Sequence, residues 1–357
     1  MLLSELSRGQ RFLLFLGRNW VVFFLLFLCV LFSFTGTGFL SPKTLNNILI
    51  TSSPALLLAA GETFVIITGG IDLSVGFVRG LISVISAIII RDLYAAGYSP
   101  YIAIFWGIVV GIGIGLLPGL VNGILVAKFR VPPFIATLGI YGVANGFALR
   151  LSQGFPITFL PPEVGKIGNG FVAYFLPGKG YSFFKKPVGI LPEDMRNLIG
   201  IAPFAFLIAL LFILVFAFIL SRTPFGQHTY AIGGNIDAAR RAGIPVDRHL
   251  IKVYMISSFF ASLSGVLATL IFSIGVPTQF SSSLELFAVA AVVIGGASLM
   301  GGKGSMLGTF LGVLVLSILE IGFLMSGILP FYRYVAVGVT LIAAVLVDQS
   351  FPELVYD

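Results

Sequence analysis

The feature that most constrains this chain is a succession of apolar runs, each near the length that crosses a bilayer, joined by short polar or glycine-rich links. A helix needs about 20 mostly apolar residues to span the hydrocarbon core. That length predicts spans near 19–38, 45–68, 75–91, 101–127, 133–152, 201–220, 251–272, 284–298, 305–328 and 331–347, which is ten. Composition agrees, since 58% of the 357 residues are hydrophobic and only 10% are charged. Soluble domains carry about 25% charged residues. The expected fold class is all-α integral membrane, with about ten transmembrane helices and residues 1–357 forming a single transmembrane domain.

The net charge of +7 is what Lys and Arg on cytoplasmic loops produce, and gives no reason to expect nucleic acid as a partner. Cys29 is the only cysteine and lies in an apolar run, which excludes a disulfide framework and a cysteine-based metal site. Arg8, Arg11 and Arg18 precede the first apolar run, but that run is long enough to span and lacks a small-residue cleavage site. It reads as an uncleaved first helix.

Positive residues in short flanks set the expected orientation. With the N-terminus inside, Arg79, Lys128, Arg130, Arg222, Arg240, Arg241, Arg248, Lys252 and Lys303 join the N-terminal arginines on the cytoplasmic side. The short outer flanks then hold only Lys43, Arg91, Arg150 and Arg333, and both termini are cytoplasmic. An outer segment at 153–200, rich in Pro, Gly, Phe and Lys, exceeds an ordinary connection. A functional segment or local lid is expected there.

The polar island is Thr223–Lys252, which overlaps a cytoplasmic loop at 221–250. Asn235 can cap a helix that begins at Ile236, and Asp237 suits the positive end of its dipole. Ala238, Ala239, Arg240, Arg241 and Ala242 favour the helix, with cations in its last turn. Gly243 suits the left-handed closing position before Ile244, and Pro245 blocks continuation. A short capped helix with Gly233-Gly234 before it and Arg248 behind it is suited to docking on another protein.

Two segments interrupt apolar runs with glycine. One holds Gly69, Gly70, Asp72, Ser74 and Gly76; the other holds Gly295, Gly296, Gly301, Gly302, Lys303, Gly304 and Ser305. Irregular backbone at membrane depth is tolerated only against protein or a water-filled cavity, and paired breaks in two halves point to a transport path. Gly301 to Ser305 is not a phosphate-binding loop, because Ala297 stands at its first glycine position and Gly304 at its Ser/Thr position. Gly111, Gly113, Gly115 and Gly119, with Pro118, read as close helix packing with a kink.

Glu62, Asp72, Glu285 and Glu320 are acids in or beside spans, which makes them functional candidates by default. Asp72 can instead cap the following helix, and Glu285, after Ser281-Ser282-Ser283, reads as a helix start at the membrane surface. Glu62 and Glu320 have no local partner, so lining a polar cavity and pairing with another helix both stand. Asn122, Asn145 and Gln153 are further polar residues in spans or at their ends that could line a path. His228 and His249 flank the polar island without metal-ligand spacing and read as solvated or interfacial. No metal site, catalytic residue or nucleophile–base pair is expected.

GGIDLSVG at Gly69–Gly76, AIGGNIDAARRAGI at Ala231–Ile244 and AVVIGGASLMGGKGS at Ala291–Ser305 resemble the permease subunits of ribose-type sugar ABC importers. The likeness runs from about Ile48 to Leu346. It implies about ten spans, arranged as in the type II, vitamin B12-type importers, in the bacterial cytoplasmic membrane. It implies a second permease subunit, identical or different, a cytoplasmic ABC ATPase and a periplasmic or lipid-anchored sugar-binding protein. ATP and magnesium would be held by the ATPase and no cofactor by this chain, while Asn235–Ala242 would be the coupling helix. Arg79 and Glu62 depart from the family pattern, as does the length of the outer segment, so the solute is open beyond a pentose, hexose or related small polar molecule. A competing class is a proton-coupled secondary transporter using Glu62, Asp72 or Glu320; it leaves the capped cytoplasmic helix unexplained.

Overall fold

A computed structural model describes residues 17, 19–187, 194–277 and 283–329, with 331, 332, 335–340, 342 and 346 beyond them. Its helices are α1 (Trp20–Thr35), α2 (Pro42–Ile67), α3 (Val75–Ala95), α4 (Pro100–Ala127), α5 (Pro133–Ser152), α6 (Glu163–Gly168), α7 (Phe204–Arg222), α8 (Pro224–Gly234), α9 (Ile236–Arg241), α10 (Val246–Phe272), α11 (Leu284–Ile294) and α12 (Met306–Met325). Six of them, α2, α4, α5, α7, α10 and α12, are long and apolar enough to cross a membrane. The expected span at 331–347 falls largely outside the described residues, although 335–340 are helical.

Helices α2 and α10 are buried along most of their length, whereas α4, α5 and α7 keep apolar surfaces exposed. A helix that is hydrophobic all round belongs at the centre of a bundle. Accordingly α10 packs against α4, α2 and α3, and α2 also meets α7, α11 and α12. The exposed side chains of the outer helices include Phe105, Trp106, Leu117, Phe134, Leu211 and Phe218. Lipid accepts such a surface without cost; water does not.

Glycine sets how closely α4 approaches α10. A Cβ on Gly115 would collide with Ser262 Oγ, and one on Gly119 would collide with the Tyr254 carbonyl oxygen and sit 2.6 Å from Ser258 Cβ. One on Gly123 would sit 2.7 Å from Ile251 Cα. These positions recur every four residues, so they form one ridge along the helix. The glycine run of α4 is therefore a packing surface, as its sequence suggested.

The segment at 153–200 is more ordered than its composition implied. It contains α6 and an antiparallel sheet of β1 (Phe171–Leu176), β2 (Gly180–Phe183) and β3 (Ile199–Pro203), in the order β2-β1-β3. Phe171 pairs with Pro203 and Ala173 with Ile201. The expected helix at 201–220 therefore begins only at Phe204, because the preceding residues are held in the sheet. Asn46 Nδ2 donates to the Gly200 carbonyl at 2.7 Å and Lys43 Nζ donates to that of Arg196, tying the sheet to α2. Since α7 leaves the sheet and ends at Arg222, the sheet and α9 lie at opposite ends of α7.

The α4 ridge yields a test. Gly119→Leu is expected to lower the thermal unfolding midpoint of the purified chain by the equivalent of about 1–3 kcal/mol or more. Gly113→Leu, on the open side of the same helix with nothing within 4 Å, is expected to leave the midpoint unchanged.

Candidate functional site

The short helix in the polar island forms as its sequence dictates. Asn235 is its N-cap, with the side-chain oxygen accepting from the Ala238 amide at 2.9 Å. Such a cap contributes about 1 kcal/mol to a helix this short. Gly243 takes φ +84° just beyond the end, where a side chain would be strained. Ala239 turns inward against Ala127, Ile232, Val246 and Leu250, anchoring α9 on the bundle. Asn235, Asp237, Ala238, Arg240, Arg241 and Gly243 stay exposed, and Ile236 is 43% exposed. Arg240 Nη2 reaches Asp247 Oδ1 at 3.3 Å on the surface, a contact worth little by itself.

The residues before Asn235 read as loop in the sequence. They are α8, and α8 is where the three motifs meet. The Gly302 amide donates to the Ile67 carbonyl at 2.8 Å, joining the end of α2 to the second glycine break. Gly233 lies against the same pair: a Cβ there would collide with the Ile67 carbonyl oxygen and stand 2.5 Å from the Gly302 nitrogen. A Cβ on Gly301 would sit 2.8 Å from the Gly233 carbonyl oxygen and 3.0 Å from the Gly69 nitrogen. Gly69, Gly301 and Gly302 all hold positive φ, at +80°, +88° and +74°. Tyr230 Oη donates to the Gly304 carbonyl at 2.8 Å. Burial pushes this phenol above its usual pKa, so it remains a donor through the neutral range. At Gly69, Gly233, Gly301 and Gly302 three chain segments thus touch through backbone, and the Tyr230 side chain adds a further link.

A second set of predicted residues gathers just beyond the first break. Glu62, Asp72, Ser74 and Asn122 are fully buried. The Asp72 amide donates to Glu62 Oε1 at 3.0 Å, so the break folds back beside α2. Asp72 Oδ1 accepts from the Ser74 amide at 3.0 Å and from the Ser74 hydroxyl, while Oδ2 accepts from Ser257 Oγ at 2.8 Å. Asn122 Nδ2 donates to Ser74 Oγ at 3.0 Å. Asp72 therefore closes a turn ahead of α3. It stands two residues before Ser74, the flanking residue of that helix, so it is not the N-cap itself. Ser257 was not singled out from the sequence, although it shares the buried face of α10 with Val253, Tyr254 and Ala261.

Three expectations need correction. Glu285 is not at a surface: it is buried in the first turn of α11, where a Cβ on Gly76 would collide with its Oε2. His249 is also buried, with Nε2 2.9 Å from Thr229 Oγ1 and its ring 4.3 Å from that of Phe225, joining α10 to α8. The expected span at 284–298 ends at Ile294, leaving Gly295 and Gly296 outside it. There a Cβ on Gly295 would collide with Gly308 of α12. Asn145 and Glu320 do not join the Asp72 cluster. Glu320 lines a separate cavity of about 560 Å³ with Arg79, Thr51 and Ser317. Among the described residues no group of three or more His, Cys, Asp or Glu side chains is placed to hold a metal ion.

The chain matches the family described as branched-chain amino acid transport system / permease component across residues 44–345. It belongs to that permease family. It is 35% identical to the ribose import permease of Bacillus subtilis strain 168, over 91% of each chain. It is 30% identical to the xylose transport permease of Haemophilus influenzae, over 88% of this chain and 91% of that one. It is 32% identical to the fructose import permease of Rhizobium meliloti, over 88% and 80%. No solved structure matches this permease.

The junction is directly testable. Gly233→Ala places a methyl group against backbone that cannot rotate away, and is expected to abolish solute uptake in cells that depend on this permease. Gly234→Ala, with nothing within 4 Å of the added carbon, is expected to keep uptake near wild type.

Proposed function

We propose that this chain is the transmembrane permease subunit of an ATP-driven ABC importer in the bacterial inner membrane, and that it forms the path for a sugar. The relatives named above are ribose, xylose and fructose import permeases spanning nearly the whole chain, which favours a pentose, hexose or related polar solute. The printed family description concerns branched-chain amino acids. The three sugar permeases, matched over most of their own length, are the more specific guide.

The observation that carries the mechanism is the contact of α8 with both glycine breaks. On this reading α9 sits in a groove of a cytoplasmic ATPase, with both termini on the same side. ATP and magnesium stay with that ATPase. Closure of the ATPase pair pushes α9; α8 passes the displacement through Gly233 to the end of α2 and to the loop before α12. Both breaks then move together, and the path opens alternately to either side. Ile236 and Met300, which is 89% exposed beside the Gly69 contact, give the docking face apolar character that the motif alone did not reveal. The sheet at 171–203 faces an extracytoplasmic sugar-binding protein. About ten spans, a type II arrangement and a second permease subunit complete the proposed assembly within one membrane domain per chain.

Sugar carries no charge that must be matched by an ion, so the energy arrives mechanically through α9. Arg240→Glu combined with Arg241→Glu, both on the exposed face of α9, is expected to leave the permease folded. The same change should reduce solute-stimulated ATP turnover by about tenfold or more, because it reverses charge at a docking surface. The measurement is ATP hydrolysis in proteoliposomes containing the whole assembly, and unchanged turnover removes the docking role of α9.

A further inference from the structure

We propose that the Glu62–Asp72 cluster binds a small monovalent cation, which locks the first glycine break onto α2. The argument starts from charge. Both carboxyl groups are fully buried and lie in one hydrogen-bonded cluster. Among the described residues, neither accepts an ion pair or hydrogen bond from Lys, Arg or His. Two uncompensated carboxylates in a low-dielectric interior are strongly unfavourable.

Hydrogen bonding separates their roles. Asp72 accepts three donors, from the Ser74 amide, the Ser74 hydroxyl and the Ser257 hydroxyl, which is the environment of an ionised carboxylate. Glu62 accepts one amide at Oε1, while its buried Oε2 has no hydrogen-bond partner. The unmet demand for positive charge is therefore at Glu62 Oε2.

Two further buried oxygens lack a hydrogen-bond partner. The Ser74 proton is committed to Asp72, so Ser74 Oγ can only accept from Asn122, and this fixes the Asn122 amide with its nitrogen towards Ser74. Its other end, Oδ1, is an acceptor that is buried without a partner. Tyr254 is 1% exposed and its hydroxyl also lacks a partner. That hydroxyl is 2.7 Å from where a Gly70 Cβ would stand, and it lies within the electrostatic reach of both Asp72 and Glu62. A carboxylate, an amide oxygen and a phenol oxygen are the ligands a hard cation takes. A single positive charge would balance the Glu62 carboxylate, whose Oε2 lacks a donor, while three donors stabilise Asp72. The cation would hold together α2 through Glu62, α4 through Asn122 and α10 through Tyr254, three helices that flank the break.

The proposal does not depend on which solute the permease carries, and binding can be read without transport. The full chain in lipid nanodiscs is titrated with sodium chloride against choline chloride at constant ionic strength. Its thermal unfolding midpoint is followed at two pH values, together with retention of radioactive sodium. The expected result is a saturable rise in midpoint with sodium, absent in choline, and stoichiometric sodium retention. Glu62→Gln should weaken retention by about tenfold or more, and Asn122→Ala should weaken it as well. Tyr254→Phe, which keeps the ring and removes only the oxygen, serves as the second variant if Glu62→Gln does not fold. Identical midpoints in sodium, potassium and choline with no retained sodium overturn the proposal. A midpoint that responds to pH and to no cation overturns it too, and assigns Glu62 a proton in place of a metal ion.

Discussion

Everything in this permease rests on a rule of apolar surroundings: a peptide group that leaves a helix inside a membrane must find another partner. Two breaks in the bundle create such groups, and they answer one another. The open carbonyl of Ile67, at the end of α2, takes the amide of Gly302 in the second break. Because that bond joins main chain to main chain, the elements around it can approach only where side chains are absent. Gly233, Gly301 and Gly69 meet that demand from three distant parts of the chain. Close packing of α4 on α10 through Gly115, Gly119 and Gly123 applies the same logic to a continuous helix.

Function then follows from where the junction sits. It lies directly under α9, whose cap and left-handed terminator make it a discrete rigid unit. One side of α9 is fixed to the bundle through Ala239; the other is exposed. The Asp72 cluster lies on the interior side of the same junction, one turn of chain away from Gly69. An exposed short helix, a main-chain junction and a buried polar cluster thus follow one another along connected backbone.

Much of this was legible in the sequence because its signals are local. Apolar run length located six helices long and apolar enough to cross a membrane, and α5 starts and ends where expected because Pro133 opens it and Gly154 follows its end. Asn235 fixed the start of α9 to the residue, and its end falls at Arg241, one residue before the expected Ala242. What escaped depended on partners remote in sequence. Residues 201–203 read as the start of an apolar helix, but pairing with β1 prevails. His249 sits between Arg248 and Lys252 and so reads as solvated, yet its spacing from Val246, Leu250 and Val253 gives the 3.6-residue period of a buried face. Glu285 follows three serines and reads as surface, because nothing local reveals that α11 begins beside Gly76. The glycine breaks could be located from sequence, but their mutual contact could not: a hydrogen bond between residues 67 and 302 leaves no periodic trace.

A joint made of main chain also has a consequence for how such a permease can diverge. Side chains lining a cavity, such as Arg79, Thr51, Ser317 and Glu320, differ in size and polarity, so exchanging one reshapes the space locally. Gly233 offers no such latitude, since every other amino acid adds the same obstructing carbon. If the junction transmits motion as proposed, that part of the molecule is closed to gradual adjustment, whereas the lining of the cavity is not. A scaffold divided in this way could change what it accommodates while its main-chain joint stays fixed.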